Sequence, residues 1–355
     1  MTATLIDGIS SRTLKTDRLN ANILERDGDD PNAEAVVFIH GNVSSSLFWQ
    51  PTMLRLPANY RAIAIDLRGF GDSETLAVDA TRGLADYSDD VASVLRALGI
   101  ESAHFVGWSM GGGVVQQLML DHNELVRTVT LQAPVSPYGF GPTALDGSLL
   151  TPDAAGSGAG GVNPDFKARL HSGDRTADEQ TSPRSVFRSA YVAPGYQGDH
   201  EDLWVESMLT TKVADGNYPG NSTPSENWPG FAPGDRGVLN TMAPTYFNTT
   251  GIVDLAVKPP VLWIHGTQDA IVSDTSYFDL NYLGQLGAIP GWPGEEVAPA
   301  QPMKQQTRNV LMEYEAAGGS VTEIELENCG HSPQLEYPEK FDAALHAHLL
   351  GRTAV

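Results

Sequence analysis

The feature that most constrains this chain is Gly107-Trp108-Ser109-Met110-Gly111, set between the apolar run SAHFVGW at 102–108 and the helix-forming run GGGVVQQLMLDH that continues from Met110. A Gly-x-Ser-x-Gly sequence there implies a sharp strand-to-helix turn. Side chains at the flanking positions would collide with neighbouring backbone, so both are glycine. The serine hydroxyl then stands above a sheet's carboxyl edge, at a helix N-terminus whose dipole favours developing negative charge. On ordinary residue frequencies, three such fixed positions match by chance about 0.1 times in a chain this long.

The surrounding pattern agrees with a strand–helix alternation. AVVFIHGN at 35–42, RAIAIDLRGFGDS at 61–73, VRTVTLQAP at 126–134 and PVLWIHGTQD at 260–269 each begin as the continuous apolar run of a strand buried on both faces. VTEIELENC at 321–329 predicts a last strand. Helices are expected near SLFWQPTMLRL, over YSDDVASVLRALGI at 87–100 with Ser88 as its cap and Gly99 as its stop, near 303–317, and in PEKFDAALHAHLLG. Such alternation argues for a parallel sheet with right-handed crossovers. Between about 15 and 30 the chain reads as short strands ending in the polar turn RDGDDPN, which lacks the spacing of a calcium loop.

The alternation stops from 135 to 257, where Gly, Pro, Ser and Asn accumulate. Phe187, Tyr191, Trp204, Trp228, Phe231, Tyr246 and Phe247 mark this stretch as a folded insertion and a lid candidate. The expected organisation is a core in two parts, 1–134 and 258–355, interrupted by the insertion. A second irregular stretch at 281–302 is expected to border the mouth of the same site.

Composition narrows the function. A net charge of −22 repels phosphate backbones and anionic lipid headgroups, so neither nucleic acid nor a membrane surface is an expected partner. No segment approaches the roughly 20 apolar residues that span a bilayer, and the N-terminus lacks the basic start and apolar run of a secretory signal. The expectation is a soluble, cytoplasmic protein. Its single cysteine, Cys329, excludes intrachain disulfides and reads as a buried, inert thiol.

A serine hydroxyl becomes a useful nucleophile when a base takes its proton, so the reading requires a histidine held by an acid. His331 in NCGHSP follows the last strand, and Asp269 in HGTQD follows another; Asp274 is the nearest competitor for the acid. All three candidates fall just past strand ends, in the order Ser, Asp, His. The backbone N–H groups of Met110 and Asn42 are the expected oxyanion donors. His40 is read as shaping the loop that carries Asn42.

HGNVSSSLFW, DLRGFGDS, GWSMGGG, HGTQD and GHSP, in this order, resemble the α/β-hydrolase superfamily, in its capped branch of serine esterases, lactonases and perhydrolases. The resemblance covers roughly 35–134 and 258–350. It implies a three-layer α/β sandwich with a mostly parallel sheet, a cap inserted after VRTVTLQAP, and a small-molecule ester or lactone substrate handled without cofactor or metal. HGNxxSSxxW is similar to the loop of haloalkane dehalogenases and epoxide hydrolases, but those use an aspartate where this chain has Ser109. Some lactone hydrolases take their acid after the preceding strand; LQAPV offers no carboxylate there, which favours Asp269. Carbon–carbon bond cleavage, perhydrolysis and slow-turnover ligand reception are alternative uses of the same site.

The remaining features read as structural. Asp66 and Arg68 resemble the superfamily's internal brace. His346 and His348 lie on different helix faces and make a poor metal pair. Trp108, Trp49 and Phe48 are candidates to line the acyl pocket, with packing as the alternative. The GGG at 111–113 lacks the spacing of a dinucleotide-binding loop.

Overall fold

The computed structural model describes residues 4–352. In chain order the first strands and helices are β1 (Ile9–Lys15), β2 (Asn20–Arg26), β3 (Glu34–Ile39), α1 (Gln50–Arg55), β4 (Tyr60–Ile65), α2 (Ala85–Leu98), β5 (Ala103–Trp108), α3 (Met110–Asp121) and β6 (Val126–Gln132). An insertion follows, with α4 (Pro164–Ser172), α5 (Pro183–Val186), α6 (Glu201–Leu209) and the small hairpin β7 (Ser222–Pro224) and β8 (Phe231–Pro233). The chain then returns through β9 (Val261–Gly266), α7 (Leu280–Gln285), α8 (Met303–Ala316), β10 (Val321–Leu326), α9 (Pro333–Glu336) and α10 (Pro338–Leu349).

The main sheet has eight strands in the order β1-β2-β4-β3-β5-β6-β9-β10. β2 runs antiparallel to both β1 and β4, and the strands from β4 to β10 are parallel. Every residue of β4, β5 and β9 is buried, as strands covered by helices on both faces must be. At the edge, β10 shows a mixed burial pattern, and its exposed Glu323 and Glu325 pair with Arg308 and Lys304. α2 packs against α3, and α1 touches α10, giving the expected three-layer α/β sandwich.

The strand order explains where a site forms. From β3 the chain moves to β4 on one side, then returns to β5 on the other, so β3 and β5 flank a topological switch point. Loops leaving their carboxyl ends diverge there and open a crevice. The Ile39–Gly107 pairing brings the loop at 40–45 beside the turn at Ser109.

Several local expectations need correction. β1 begins at Ile9, ahead of the stretch read as strand, because its exposed face carries no apolar run. α2 starts at Ala85 with no side-chain cap, so Ser88 is inside the helix, where its hydroxyl donates to Asp121. Gly99 ends that helix in a left-handed conformation, as expected. The irregular stretch at 281–302 includes most of α7.

Candidate active site

Ser109 has φ 57° and ψ −120°, a strained conformation for a residue with a side chain. The flanking glycines make it feasible. A Cβ on Gly107 would lie 2.4 Å from the Gly111 carbonyl oxygen, and one on Gly111 would lie 2.4 Å from the carbonyl oxygens of Ile39 and His40. Substituting either glycine therefore requires backbone to move.

His331 follows β10 on the loop that enters α9, and Asp269 follows β9. The His331 Nδ1 and Asp269 Oδ2 are 2.8 Å apart, with both side chains almost fully buried. Asp269 Oδ1 accepts from the backbone N–H groups of Ile271 and Val272 at 2.8 and 2.9 Å, which fixes the carboxylate's orientation. Asp274 is occupied elsewhere: its Oδ1 accepts from Lys304 and Gln305 at the start of α8. The structure thus pairs His331 with the acid expected from the sequence.

Ser109, His331, Asn42 and Trp108 line one cavity of about 380 Å³, together with residues of the insertion. Among the described residues neither the Asn42 nor the Met110 N–H donates a hydrogen bond within the protein, which leaves both free for a ligand oxygen. Ser109 Oγ likewise has no protein partner among the described residues.

His40 holds the Asn42 loop. Its Nε2 accepts from the Leu67 N–H at 3.0 Å while Nδ1 donates to the Gly41 carbonyl at 2.8 Å. These two bonds define a neutral tautomer, and burial pushes the imidazole pKa down. Asp66 braces the same region by accepting from the Ser46 and Asp72 N–H groups and the Asn22 amide. Arg68 pairs bidentately with Asp90.

Trp108 lines the cavity, and its Nε1 donates to the His331 carbonyl at 2.8 Å. Phe48 and Trp49, named with it as pocket candidates, do not line the cavity. They are fully buried, Phe48 stacked on Trp204 and Trp49 tilted against Phe38. Of the stretch at 281–302, Leu283 lines the cavity, beside Tyr277, Phe278 and Leu280 from just before it; Trp292 instead packs on Gly284. Cys329 is buried, and burial raises its thiol pKa, as befits an inert side chain. His348 is buried against the Val129 carbonyl.

Three residues near the site had no identifiable role from sequence. Tyr191, noted only as an aromatic of the insertion, donates its hydroxyl to the Asn42 and Val43 carbonyls at 3.1 and 3.0 Å. Glu336 accepts from the N–H groups of Gly330, Ser332 and Ala193, the first two flanking His331. Tyr218 lines the cavity with a buried ring, and its hydroxyl has no protein partner among the described residues.

The profile of the alpha/beta hydrolase fold matches residues 34–291. The chain belongs to the alpha/beta-hydrolase family. It is 26% identical over 271 residues to the 2-(acetamidomethylene)succinate hydrolase of Mesorhizobium japonicum, covering 75% of this chain and 81% of that one. It is 39% identical over 121 residues to a probable lysophospholipase of Arabidopsis thaliana, covering 33% of this chain. The alignment spans only 28% of that relative's length, and 29% and 47% of two other curated relatives. A carboxylesterase from Bacillus subtilis shares the fold, with a TM-score of 0.61, 17% identity and coverage of 97% of this chain and 92% of that one. Among the described residues no helix is long and apolar enough to cross a membrane.

Proposed function

We propose that this hydrolase cleaves a carboxylic ester or lactone through an acyl-enzyme on Ser109. The carrying observation is the buried Asp269–His331 pair, whose His331 lines one cavity with a strained serine at a strand-to-helix turn. In this reading His331 takes the Ser109 proton as Oγ attacks the carbonyl carbon. The oxyanion accepts from the Asn42 and Met110 N–H groups, while Asp269 orients and stabilises the imidazolium. Collapse of the adduct breaks the acyl–oxygen bond, and His331 returns the proton to the leaving alkoxide. Water, deprotonated by His331, then attacks the acyl carbon and releases the acid and Ser109. With a lactone, the alcohol stays attached to the acyl chain.

The cavity walls favour a neutral, moderately bulky substrate. Phe140, Val162, Phe166, Leu239 and Met242 supply apolar surface, with the insertion acting as the cap. Among the described lining residues there is no lysine or arginine to hold a second carboxylate, which disfavours carbon–carbon hydrolysis of carboxylated diketones. The uncommitted Tyr218 hydroxyl favours a substrate with one further hydrogen-bond acceptor, because an unmatched buried donor costs about 1–3 kcal/mol.

A panel of p-nitrophenyl esters and lactones, assayed with wild type and Ser109→Ala and followed by mass spectrometry, tests this reading. We expect turnover and an acyl adduct on Ser109 in the wild type, and a loss of about 10,000-fold or more in the variant. Full turnover by Ser109→Ala would refute the mechanism.

A further inference from the structure

The insertion reaches both halves of the site within three residues. Tyr191 ends a π-helical turn at Phe187–Tyr191, and such turns are frequent at functional positions. Its hydroxyl bonds the carbonyls of Asn42 and Val43. Val43 has φ 47°, a conformation that a β-branched residue adopts only under external constraint. The Tyr191 ring meets Trp108 edge-on at 5.7 Å and lies 6.3 Å from the His331 ring.

Two residues on, the Ala193 N–H donates to Glu336 Oε2 at 2.7 Å. The same carboxylate accepts from Gly330 and Ser332 on either side of His331. Space is closed there too: a Cβ on Gly330 would lie 2.5 Å from the Ala193 nitrogen. One short segment thus fixes the strained loop that carries the Asn42 N–H and, through Glu336, the loop that carries His331.

We propose that Tyr191 and Glu336 are positioning residues, through which residues 191–193 of the insertion hold the oxyanion loop and the histidine loop in register for reaction at Ser109. This rests on the serine-hydrolase reading above. Neither residue touches the reacting atoms; each acts through backbone groups it holds. Displacements of about 1 Å in such a frame cost on the order of 100-fold in rate.

The test compares wild type, Tyr191→Phe, Glu336→Gln and Glu336→Ala by three readouts: kcat and KM on the best p-nitrophenyl ester, inhibition by an alkylboronic acid that forms a tetrahedral anion on Ser109, and the rate of Ser109 labelling by a fluorophosphonate. For Tyr191→Phe we expect kcat to fall about 10- to 100-fold with KM within two-fold, and boronate affinity to weaken in parallel. Both Glu336 oxygens accept backbone N–H groups, so Glu336→Gln keeps one of the two acceptors and should recover part of what Glu336→Ala loses. A purely structural role would lower the melting temperature without this kcat-against-KM split. Should Tyr191→Phe fail to fold, the Glu336 pair decides alone. Variants that keep kcat and boronate affinity within two-fold of wild type overturn the proposal while leaving the Ser109 mechanism intact. A wild type that takes no label on Ser109 removes both.

Discussion

Asp269 and Asp274 share one loop, and their hydrogen bonds assign them different work. Asp269 spends one oxygen on two backbone N–H groups and the other on His331, so its replacement by Asn would place an amide opposite the histidine and favour the wrong tautomer. We expect Asp269→Asn to lower kcat by about 1,000- to 10,000-fold with little change in the melting temperature. Asp274→Asn still offers an oxygen to Lys304 and Gln305, and activity within two-fold of wild type is expected. Steady-state kinetics of the two variants on the same ester separates these roles, and equal losses would contradict them. Residue by residue, the Asp269–His331 contact and the strained turn at Ser109 were legible because all three residues stand at strand ends. Tyr191 and Glu336 were not, because Tyr191 meets the loop of Asn42 across 149 residues of chain and Glu336 meets Ala193 across 143. A hydroxyl or carboxylate whose partners are distant backbone groups leaves no local pattern.

Among the elements, those buried on both faces declared themselves as apolar runs, whereas β1, with five of its seven positions exposed, had nothing to declare. α7 escaped notice for a related reason, lying in a stretch dominated by glycine and proline. The helix α10 was legible in outline, but its histidines read only as a poor metal pair. Packed against β6, His348 places Nε2 3.1 Å from the Val129 carbonyl, and burial pushes its pKa down from 6.5 to about 4. Between those values the unfolded chain binds a proton that the folded chain refuses. Stability therefore declines as pH falls from about 6.5 towards 4, by at most about 3 kcal/mol from this group. His40, His104 and His265 are likewise shifted down, chiefly by burial, and steepen the same decline. His348→Gln can still donate to Val129 but does not titrate. Chemical denaturation across pH 4.5–7.5 should show a shallower slope for this variant; an unchanged slope would mean that His348 is protonated equally in both states.

For the whole molecule, the excess of acidic side chains, 44 against 22 basic ones, acts at a distance that no single contact reveals. Its field meets an approaching substrate before the cavity does, and among the described residues the lining holds no lysine or arginine to offset that field. A negatively charged ester is thus disfavoured twice: by repulsion on approach, which salt screens, and by desolvation without a cationic partner inside, which salt does not. The two effects separate in one experiment. Take p-nitrophenyl butyrate and its mono-succinate counterpart, similar in length and differing by a carboxylate, and measure kcat/KM for each from low to about 0.5 M sodium chloride. The neutral ester should be favoured by about 10-fold or more at low salt, since fields of this kind alter encounter rates by 10- to 1,000-fold. Salt should narrow the gap without closing it, because the component set inside the cavity persists after the Debye length has contracted to a few ångströms. A ratio near one throughout would mean that the carboxylate reaches solvent beyond the mouth when bound, and that the apolar walls receive only the uncharged end of the substrate.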